Sequence, residues 1–245
     1  MGNTEQAIAV QQQSLELSQS LQDRRGQAAS LCFLGHAQFT QGQYEEAISH
    51  YTQALNLSQS IQAHRFESQA FSGLGMIADA QGQYQQSVEY HQRALQLAKA
   101  MGDRGSEAMI LGHLGNAYVG LEDFANAVVC HQQGLSLACE VGDRDQERLA
   151  LAGIADVAFC VGQYEQALAF YQRSLALAEA LKVAGGEATM LTNIGTVLLQ
   201  MEEYGEARSY LLSGLCKARD VGSVSTEENA LRSLIEVHNA LEESE

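Results

Sequence analysis

The stretch Leu111-Gly-His-Leu-Gly-Asn-Ala-Tyr118, followed closely by Leu121-Glu-Asp-Phe-Ala-Asn-Ala127, recurs along the chain at steps of 40 residues. Leucine or isoleucine followed by glycine marks four of the copies, at Gly35, Gly75, Gly115 and Gly195. An aromatic residue further on marks five copies, at Tyr44, Tyr84, Phe124, Tyr164 and Tyr204. A fixed period of this length is typical of a solenoid, in which each unit buries its apolar face against its neighbours.

Each copy is predicted to form two helices joined by a tight turn. In the third copy, apolar residues at steps of three and four predict a first helix, A, over about 104–120, and a second helix, B, over about 124–141. Asp103 is a candidate N-cap of helix A, and Gly142 is a candidate left-handed residue that ends helix B. The four glycines are expected where the helices of a pair cross, since a larger side chain would overpack the contact. The five aromatic residues are expected to act as wedges at the start of each B helix.

The repeat resembles the tetratricopeptide repeat (TPR), whose positions in the third copy hold Leu111, Leu114, Gly115, Tyr118, Ala127, His131 and Gly134. The sequence departs from the family pattern at His131, in an aromatic position, and at Gly134, in an alanine position, and it lacks the late proline. The 40-residue form with a Gly-Asp-Arg link is similar to the long repeats of the Pins/LGN adaptors and to arrays in bacterial signalling proteins. The resemblance implies an all-α fold, a right-handed TPR superhelical solenoid of antiparallel helix pairs.

The repeat predicts a single TPR solenoid domain over residues 1–245. Its parts are an unpaired B helix at 1–22, full repeats at 23–62, 63–102, 103–142, 143–182 and 183–222, and a C-terminal capping helix at 223–245. The unpaired first helix has two interpretations, a piece of a longer array or a natural cap. In the last helix, the expected buried stripe consists of Leu231, Leu234, Ile235, His238 and Leu241.

The composition limits the classes of binding partner and the cellular location that we expect for this protein. A net charge of −16 repels phosphate, so nucleic acid and anionic membrane surfaces are not expected as partners. The acidity increases towards the C-terminal half, where it either keeps the surface solvated or suits a basic partner segment. Five cysteines without a CxxC pair indicate a reducing compartment. Since no signal peptide or membrane span is apparent either, we expect a cytoplasmic protein.

The sequence shows no pattern of catalytic or metal-binding residues. His91 and His131 are one repeat apart and occupy the position that Tyr51 holds, so they are interpreted as packing residues. His64 and Glu67 form an HxxE pair, but two ligands alone make a weak metal site. We therefore expect no enzyme activity, no cofactor and no metal site.

The remaining candidate site is the concave groove that the A helices of such solenoids line. The expected groove positions follow the repeated glycine of the A helices, which is Ala155 in the fourth copy, or precede it by one or two turns. They supply ten candidate peptide-binding residues: His36, Gln69, Met76, Met109, His113, Asn116, Asp156, Thr189, Asn193 and Thr196. None is Lys or Arg, so the clamp for a C-terminal carboxylate that chaperone-binding TPR adaptors build from those residues is not expected. Small side chains on an inner wall also serve curvature, so an unused wall stays an alternative.

Three functional hypotheses follow from the repeat. The first is a non-catalytic scaffold or adaptor whose groove binds a peptide or helical segment of a protein partner, with a basic or an amphipathic helical segment as the favoured ligand. The alternative is a regulatory or sensor TPR region of a larger multidomain signalling protein, such as a protease, a kinase or a transcription regulator. The third is self-association through the unpaired terminal helices.

Overall fold

The computed structural model describes residues 2–243 and the side chains of residues 6–242. Met1, Ser244 and Glu245, which the predicted terminal elements include, lie outside the described residues. Within that range the chain is all-α, with twelve helices and no strand, as predicted. The links between helices are two or three residues long, so consecutive helices within each of the chain's two compact units run antiparallel. None of the described helices is long and apolar enough to cross a bilayer.

Backbone contacts divide the chain into two compact units, Met1–Asp123 and Phe124–Glu245. The N-terminal unit contains α1 (Gly2–Ser20), α2 (Arg24–Thr40), α3 (Tyr44–Ser60), α4 (His64–Ala80), α5 (Tyr84–Met101) and α6 (Arg104–Gly120). The C-terminal unit contains α7 (Phe124–Val141), α8 (Arg144–Cys160), α9 (Tyr164–Leu181), α10 (Ala184–Gln200), α11 (Tyr204–Val221) and α12 (Val224–Glu243). Even-numbered helices are the A helices of the repeat, and odd-numbered helices are the B helices. The division into five full repeats within one domain stays a prediction.

The N-terminal unit packs its A helices side by side, with B helices against them. α2 contacts α4 and α4 contacts α6, while α3 packs on both α2 and α4, and α5 packs on both α4 and α6. The core of this unit combines large and small side chains. Leu31, Leu74 and Ile77 come from A helices, and the fully buried Ala47 and Ala54 come from α3. The alanines let the helices approach closely, because a buried large side chain there would hold them apart.

The C-terminal unit uses the same arrangement. α9 packs on α8 and α10, and α11 packs on α10 and α12. Its core contains Ile194 and Val197 of α10, Leu211 of α11 and Val237 of α12, all at most 1% exposed. The apolar residues of each helix recur at steps of three and four, which places them on the side that faces these neighbours.

The prediction for the buried face of α12 was right in part. Leu234 and Leu241 are half-buried and pack against the core of the unit, whereas Leu231, Ile235 and His238 are exposed. The buried residues of the helix are Thr226, Ala230, Ser233 and Val237. The side of α12 that packs on α10 and α11 therefore combines small residues with Leu234 and Leu241.

Local turn chemistry explains where the helices end. Gly142 is left-handed, with φ of 75°, and follows α7 as predicted. Glu122 and Glu202 adopt φ of 58° and 63° after α6 and α10, which costs each residue about 1 kcal/mol relative to glycine. Asp103 caps α6, since Ser106 N donates a hydrogen bond to its Oδ1 at 3.1 Å. These caps satisfy backbone groups that a helix end leaves unpaired.

The four repeated glycines of the A helices are all buried. A Cβ atom at Gly75 would lie 2.6 Å from the ring of His91 on the paired B helix. A Cβ atom at Gly195 would lie 2.6 Å from Leu211 Cγ and 3.1 Å from the backbone oxygen of Ala207. At Gly75 a larger residue would therefore clash with a side chain of the paired B helix. At Gly195 it would clash with a side chain and also with the backbone of that helix.

The five repeated aromatic residues are the first residues of their B helices, and all are half-buried. Tyr44 packs beside Phe39 with ring centroids 5.9 Å apart. The ring of Tyr84 lies against Gly120, where an added Cβ atom would be 2.4 Å from Tyr84 Cδ1. In the N-terminal unit these rings thus fill the space beside the end of an A helix.

Candidate functional site

The exposed surface of each A helix from α2 to α10 lies on one stripe, apart from the first and last turns, because the other sides pack on neighbouring helices. In the N-terminal unit, stripe 1 consists of Ala29, Phe33, His36, Gln69, Met76, Met109, His113 and Asn116. In the C-terminal unit, stripe 2 consists of Leu149, Asp156, Thr189, Asn193 and Thr196. The ten predicted peptide-binding residues belong to these two stripes, and Asp156 is their one charged member.

Exposure differs between the two stripes. Five residues of stripe 1 are exposed: Phe33, His36, Gln69, Met109 and Asn116. In stripe 2, Leu149 is exposed and the other four residues are half-buried. A ligand would therefore meet more side-chain surface on stripe 1, including the apolar surface of Phe33, which is 59% exposed.

A B-helix side chain lies behind stripe 1 at each repeat. Tyr51 is 3% exposed, and its ring lies between Gly35 of α2 and Gly73 of α4. A Cβ atom at Gly35 would be 3.0 Å from the ring, and one at Gly73 would be 2.2 Å from Tyr51 Cζ. The glycines therefore provide the room in which the ring packs. Burial raises the pKa of the Tyr51 hydroxyl, so it stays protonated.

One repeat later the same position holds His91, which brings the predicted residue His113 into a cluster. The two imidazole rings stack, with centroids 5.4 Å apart and planes 15° apart. His91 Nε2 lies 3.4 Å from Asp79 Oδ2, but neither ring nitrogen of His91 has a hydrogen-bond partner among the described residues. Burial, and then the charge of His91, lower the pKa of His113 to about 4, against the opposing effect of the Asp79 charge. His113 is therefore uncharged at neutral pH.

In the C-terminal unit, Tyr171 connects two predicted residues of stripe 2. Its hydroxyl donates a hydrogen bond to Asp156 Oδ1 at 2.5 Å, and it also interacts with the side chain of Asn193. Burial raises the pKa of Asp156, and the hydrogen bond from Tyr171 opposes that shift. Burial, and then the neighbouring Asp156 charge, raise the pKa of Tyr171. The carboxylate is thus held in a fixed position by the phenol behind it.

The hydroxyl groups of stripe 2 are engaged within the unit. Thr196 Oγ1 donates to the backbone oxygen of Thr192 at 3.0 Å and lies 3.1 Å from Ser233 Oγ. Thr189 Oγ1 donates to the backbone oxygen of Gly185 at 3.0 Å. Each hydroxyl has one proton, and that proton is already donated to a backbone oxygen of the same unit. A ligand could therefore use these oxygens mainly as hydrogen-bond acceptors.

The residues behind the stripes were not predicted as site residues. Tyr171 and His91 come from B helices, and each lies 22 positions before the stripe residue that it contacts, Asn193 or His113. A comparison of these two positions between repeats could have indicated the contacts. Within the described residues, no group of three or more His, Cys, Asp or Glu side chains is placed to hold a metal ion.

Repeated antiparallel helix pairs, with one exposed stripe on each A helix, define a helical-repeat protein. The family model of the tetratricopeptide repeat matches residues 1–60, 66–140 and 146–215. The chain therefore belongs to the tetratricopeptide repeat family. None of the curated proteins matches it in sequence.

Solved structures share the fold at low sequence identity. BtubC (BKLC) from P. vanneervenii has a TM-score of 0.74 at 16% identity, with 90% of this chain and 92% of that chain covered. The Rap conjugation gene regulator of plasmid pLS20, in complex with the Phr* peptide, has a TM-score of 0.74 at 19% identity. That match covers 91% of this chain and 64% of the regulator. Aspartyl phosphate phosphatase F from Bacillus subtilis has a TM-score of 0.71 at 15% identity, with 94% and 64% covered.

Proposed function

We propose that this chain is a non-catalytic protein-interaction scaffold that binds a peptide or helical segment on the stripes of its A helices. The observation that carries the proposal is the charge distribution. The chain has a net charge of −16, yet the thirteen residues of stripes 1 and 2 include one charged side chain, Asp156. The cores of protein interfaces are likewise depleted in charge.

The chemistry of the stripes suits a peptide ligand. Phe33 and Met109 on stripe 1, and Leu149 on stripe 2, are exposed apolar side chains on which a ligand side chain can pack. Gln69 and Asn116 are exposed amides beside them, and amides both donate to and accept from a peptide backbone. Apolar anchors combined with a few polar groups are typical of peptide recognition.

The similar structures support a peptide as the ligand class. One is a Rap regulator in complex with the Phr* peptide, and another is a Rap protein complexed with competence and sporulation factor. The right-handed superhelix, its concave groove, a basic or amphipathic helical ligand and the cytoplasmic location stay predictions. The same holds for the likeness to Pins/LGN adaptors and for self-association through the terminal helices.

A second candidate function is a regulatory or sensor region within a larger signalling protein. It is favoured by chain length, since this chain spans 64% of the Rap conjugation regulator and 64% of aspartyl phosphate phosphatase F. The full-length coding sequence tests this candidate. A kinase, protease or DNA-binding segment in the same reading frame would support it, whereas a reading frame limited to these residues would contradict it.

Peptide selection tests the first proposal. Twelve-residue peptides displayed on phage would be selected on the folded chain, and the Kd of each enriched peptide would be measured by fluorescence anisotropy. Asn116→Arg on stripe 1 and Leu149→Arg on stripe 2 each place a charge on an exposed stripe position. We expect one of them to weaken binding about tenfold or more, which corresponds to about 1.4 kcal/mol.

Matched controls carry the same charge on B helices. Gln96→Arg on α5 and Gln172→Arg on α9 alter exposed residues outside the stripes, so binding should stay within twofold of wild type. Unchanged binding by both stripe variants, with circular dichroism showing intact helices, would remove the stripes as the binding surface.

A further inference from the structure

The N-terminal unit contains an open cleft of about 530 Å³ beyond one end of stripe 1. The first turns of α2 and α4, the link between α3 and α4, and the end of α5 line it, through Arg25, Gly26, Ala29, Gln62, Ala63, His64, Arg65, Phe66 and Met101. The volume lies within the range of ordinary ligand pockets. The lining is cationic and apolar, and it contains no carboxylate.

Neither arginine of the cleft forms a salt bridge within the described residues, although hydrogen bonds from Ser106 and, to a smaller extent, the charge of Arg65 lower the pKa of the nearby Asp103 carboxyl. No carboxylate oxygen lies within 4.0 Å of the guanidinium of Arg25 or Arg65 among the described side chains. The carboxylates nearest in sequence have other partners. Asp23 accepts hydrogen bonds from backbone N–H groups of α2. Glu67 accepts one from Gln59, and its Oε2 lies 3.3 Å from Nδ1 of His64 in the cleft lining. A cleft with one sign of charge concentrates ligands of the opposite sign.

The N-terminus of α4 adds to this charge. Its N-cap is Ala63, which makes no side-chain capping bond, whereas α2 and α6 are capped by Asp23 and Asp103. The first backbone N–H groups of α4, at His64 and Arg65, thus have no capping side chain to accept from them. A helix N-terminus carries a partial positive charge that favours an anion.

The cleft continues into stripe 1. A second, smaller depression shares Arg65 and Met101 with it and is also lined by Gln69 and Met109 of the stripe and by Asp103, whose carboxylate already accepts hydrogen bonds from Ser106. Phe66 is half-buried and Met101 is 38% exposed, so an apolar side chain beside the anion would have a surface to pack on.

We propose that this cleft binds the carboxylate of an Asp or Glu residue next to an apolar residue, within a peptide whose remainder lies on stripe 1. The inference rests on the proposed function in that its ligand is a peptide. Guanidinium groups pair well with carboxylates because two N–H groups can donate to the two oxygens. An acidic residue in the ligand also distinguishes this site from the basic ligand that the acidic C-terminal half suggested.

The test uses variants whose folding the structure supports. Ala63→Asp gives α4 the same N-cap residue as α2 and α6 and puts a carboxylate at the cleft. Because Ala63 is only 8% exposed, circular dichroism must show that this variant folds, and the arginine variants test the cleft independently of it. Val183→Asp is the matched control, because Val183 is the uncapped N-cap of α10 in the other unit. Arg25→Gln and Arg65→Gln remove the two cleft charges.

The probe is a pair of synthetic peptides. Both carry the consensus sequence of the peptides selected by phage display on the wild-type chain, and one has Gln where the other has Glu. We expect selection to enrich Asp or Glu at one position, and the Glu peptide to bind at least tenfold more tightly than the Gln peptide. That preference should fall below threefold in Ala63→Asp, Arg25→Gln and Arg65→Gln, and should persist in Val183→Asp.

Three outcomes would overturn the proposal. The first is that the selected peptides share no acidic position. The second is that the cleft variants still bind the Glu peptide more tightly than the Gln peptide. The third is that no peptide is selected at all, which would also remove the proposed function. Stabilisation by inorganic phosphate without a Glu preference would indicate a phosphate site instead. A Glu preference that depends on the cleft but is insensitive to Asn116→Arg would retain the cleft and reject stripe 1.

Discussion

Gly73→Ala tests the packing of Tyr51 behind stripe 1. The new Cβ atom would lie 2.2 Å from Tyr51 Cζ, well inside van der Waals contact. Tyr51 is 3% exposed and has Gly35 on its other side, so its ring has little room to move. Overpacking costs about 1–3 kcal/mol, and this contact belongs at the upper end. Replacing a helical glycine by alanine returns about 1 kcal/mol, so we expect a net loss of about 2 kcal/mol.

The assay is urea unfolding followed by circular dichroism, together with a thermal melt. For a chain of this size, a loss of about 2 kcal/mol lowers Tm by roughly 4–8 °C. Gly112→Ala is the matched control, since no atom lies within 4 Å of its added Cβ atom. It should raise stability by about 0.5–1 kcal/mol.

A double-mutant cycle identifies the cause. In Tyr51→Leu the ring atoms that clash are absent, so adding Gly73→Ala should be neutral or stabilising, with a coupling energy of about 2 kcal/mol. If Gly73→Ala were as stable as Gly112→Ala, or if its cost were the same with leucine at position 51, the packing account would be refuted.

Other predictions concern buried polar groups and one turn. Burial lowers the pKa of His131 from 6.5 to about 4, so the unfolded chain binds more protons between these pH values and stability falls as pH falls through that window. His131→Phe should therefore remove up to about 3 kcal/mol of acid destabilisation, seen as a smaller drop in the urea midpoint between pH 7 and 4.5. Tyr171→Phe should cost about 1–3 kcal/mol, because it leaves the half-buried Asp156 carboxylate without its donor; an unchanged urea midpoint would contradict this. Glu202→Gly should raise stability by about 1 kcal/mol, because φ at this residue is 63°. A lower melting temperature in that variant would count against it.

The fold could be predicted because its determinants are local and repeated. The helix over 104–120 and the helix over 124–141 begin and end in the structure as predicted, at Arg104–Gly120 and Phe124–Val141. Their ends depend on an N-cap such as Asp103 and on left-handed residues such as Gly142, which a sequence displays directly.

The stripe positions could be predicted from helical spacing, but their contacts could not. His113 was expected on a groove wall, and the structure also stacks it on His91, because a B-helix side chain reaches the next A helix at that point. The buried face of α12 was predicted from its largest apolar residues. Leu234 and Leu241 do pack against the core, but Leu231 and Ile235 are exposed, and Ala230 and Val237 are buried in their place. Apolar spacing shows that a helix has a face to bury, whereas the side that neighbours cover depends on where they pack.

The cationic cleft was missed for a related reason. Arg25, Arg65 and Met101 belong to three helices and share no motif in the sequence. The packing of α2 beside α4, with the end of α5 next to them, places these side chains around one space. The predicted groove positions hold no Lys or Arg, so no clamp was expected on them, but Arg25 and Arg65 lie one turn nearer the N-termini of the same helices.

The most direct test of the central proposal is photo-crosslinking of a selected peptide to the chain. p-Benzoylphenylalanine would replace Asn116 and Leu149 on the stripes, and Gln96 and Gln172 on the B helices, with adducts measured by mass spectrometry. We predict a peptide adduct from at least one stripe position and none above background from the two B-helix positions. Adducts formed only from Gln96 or Gln172 would contradict the account.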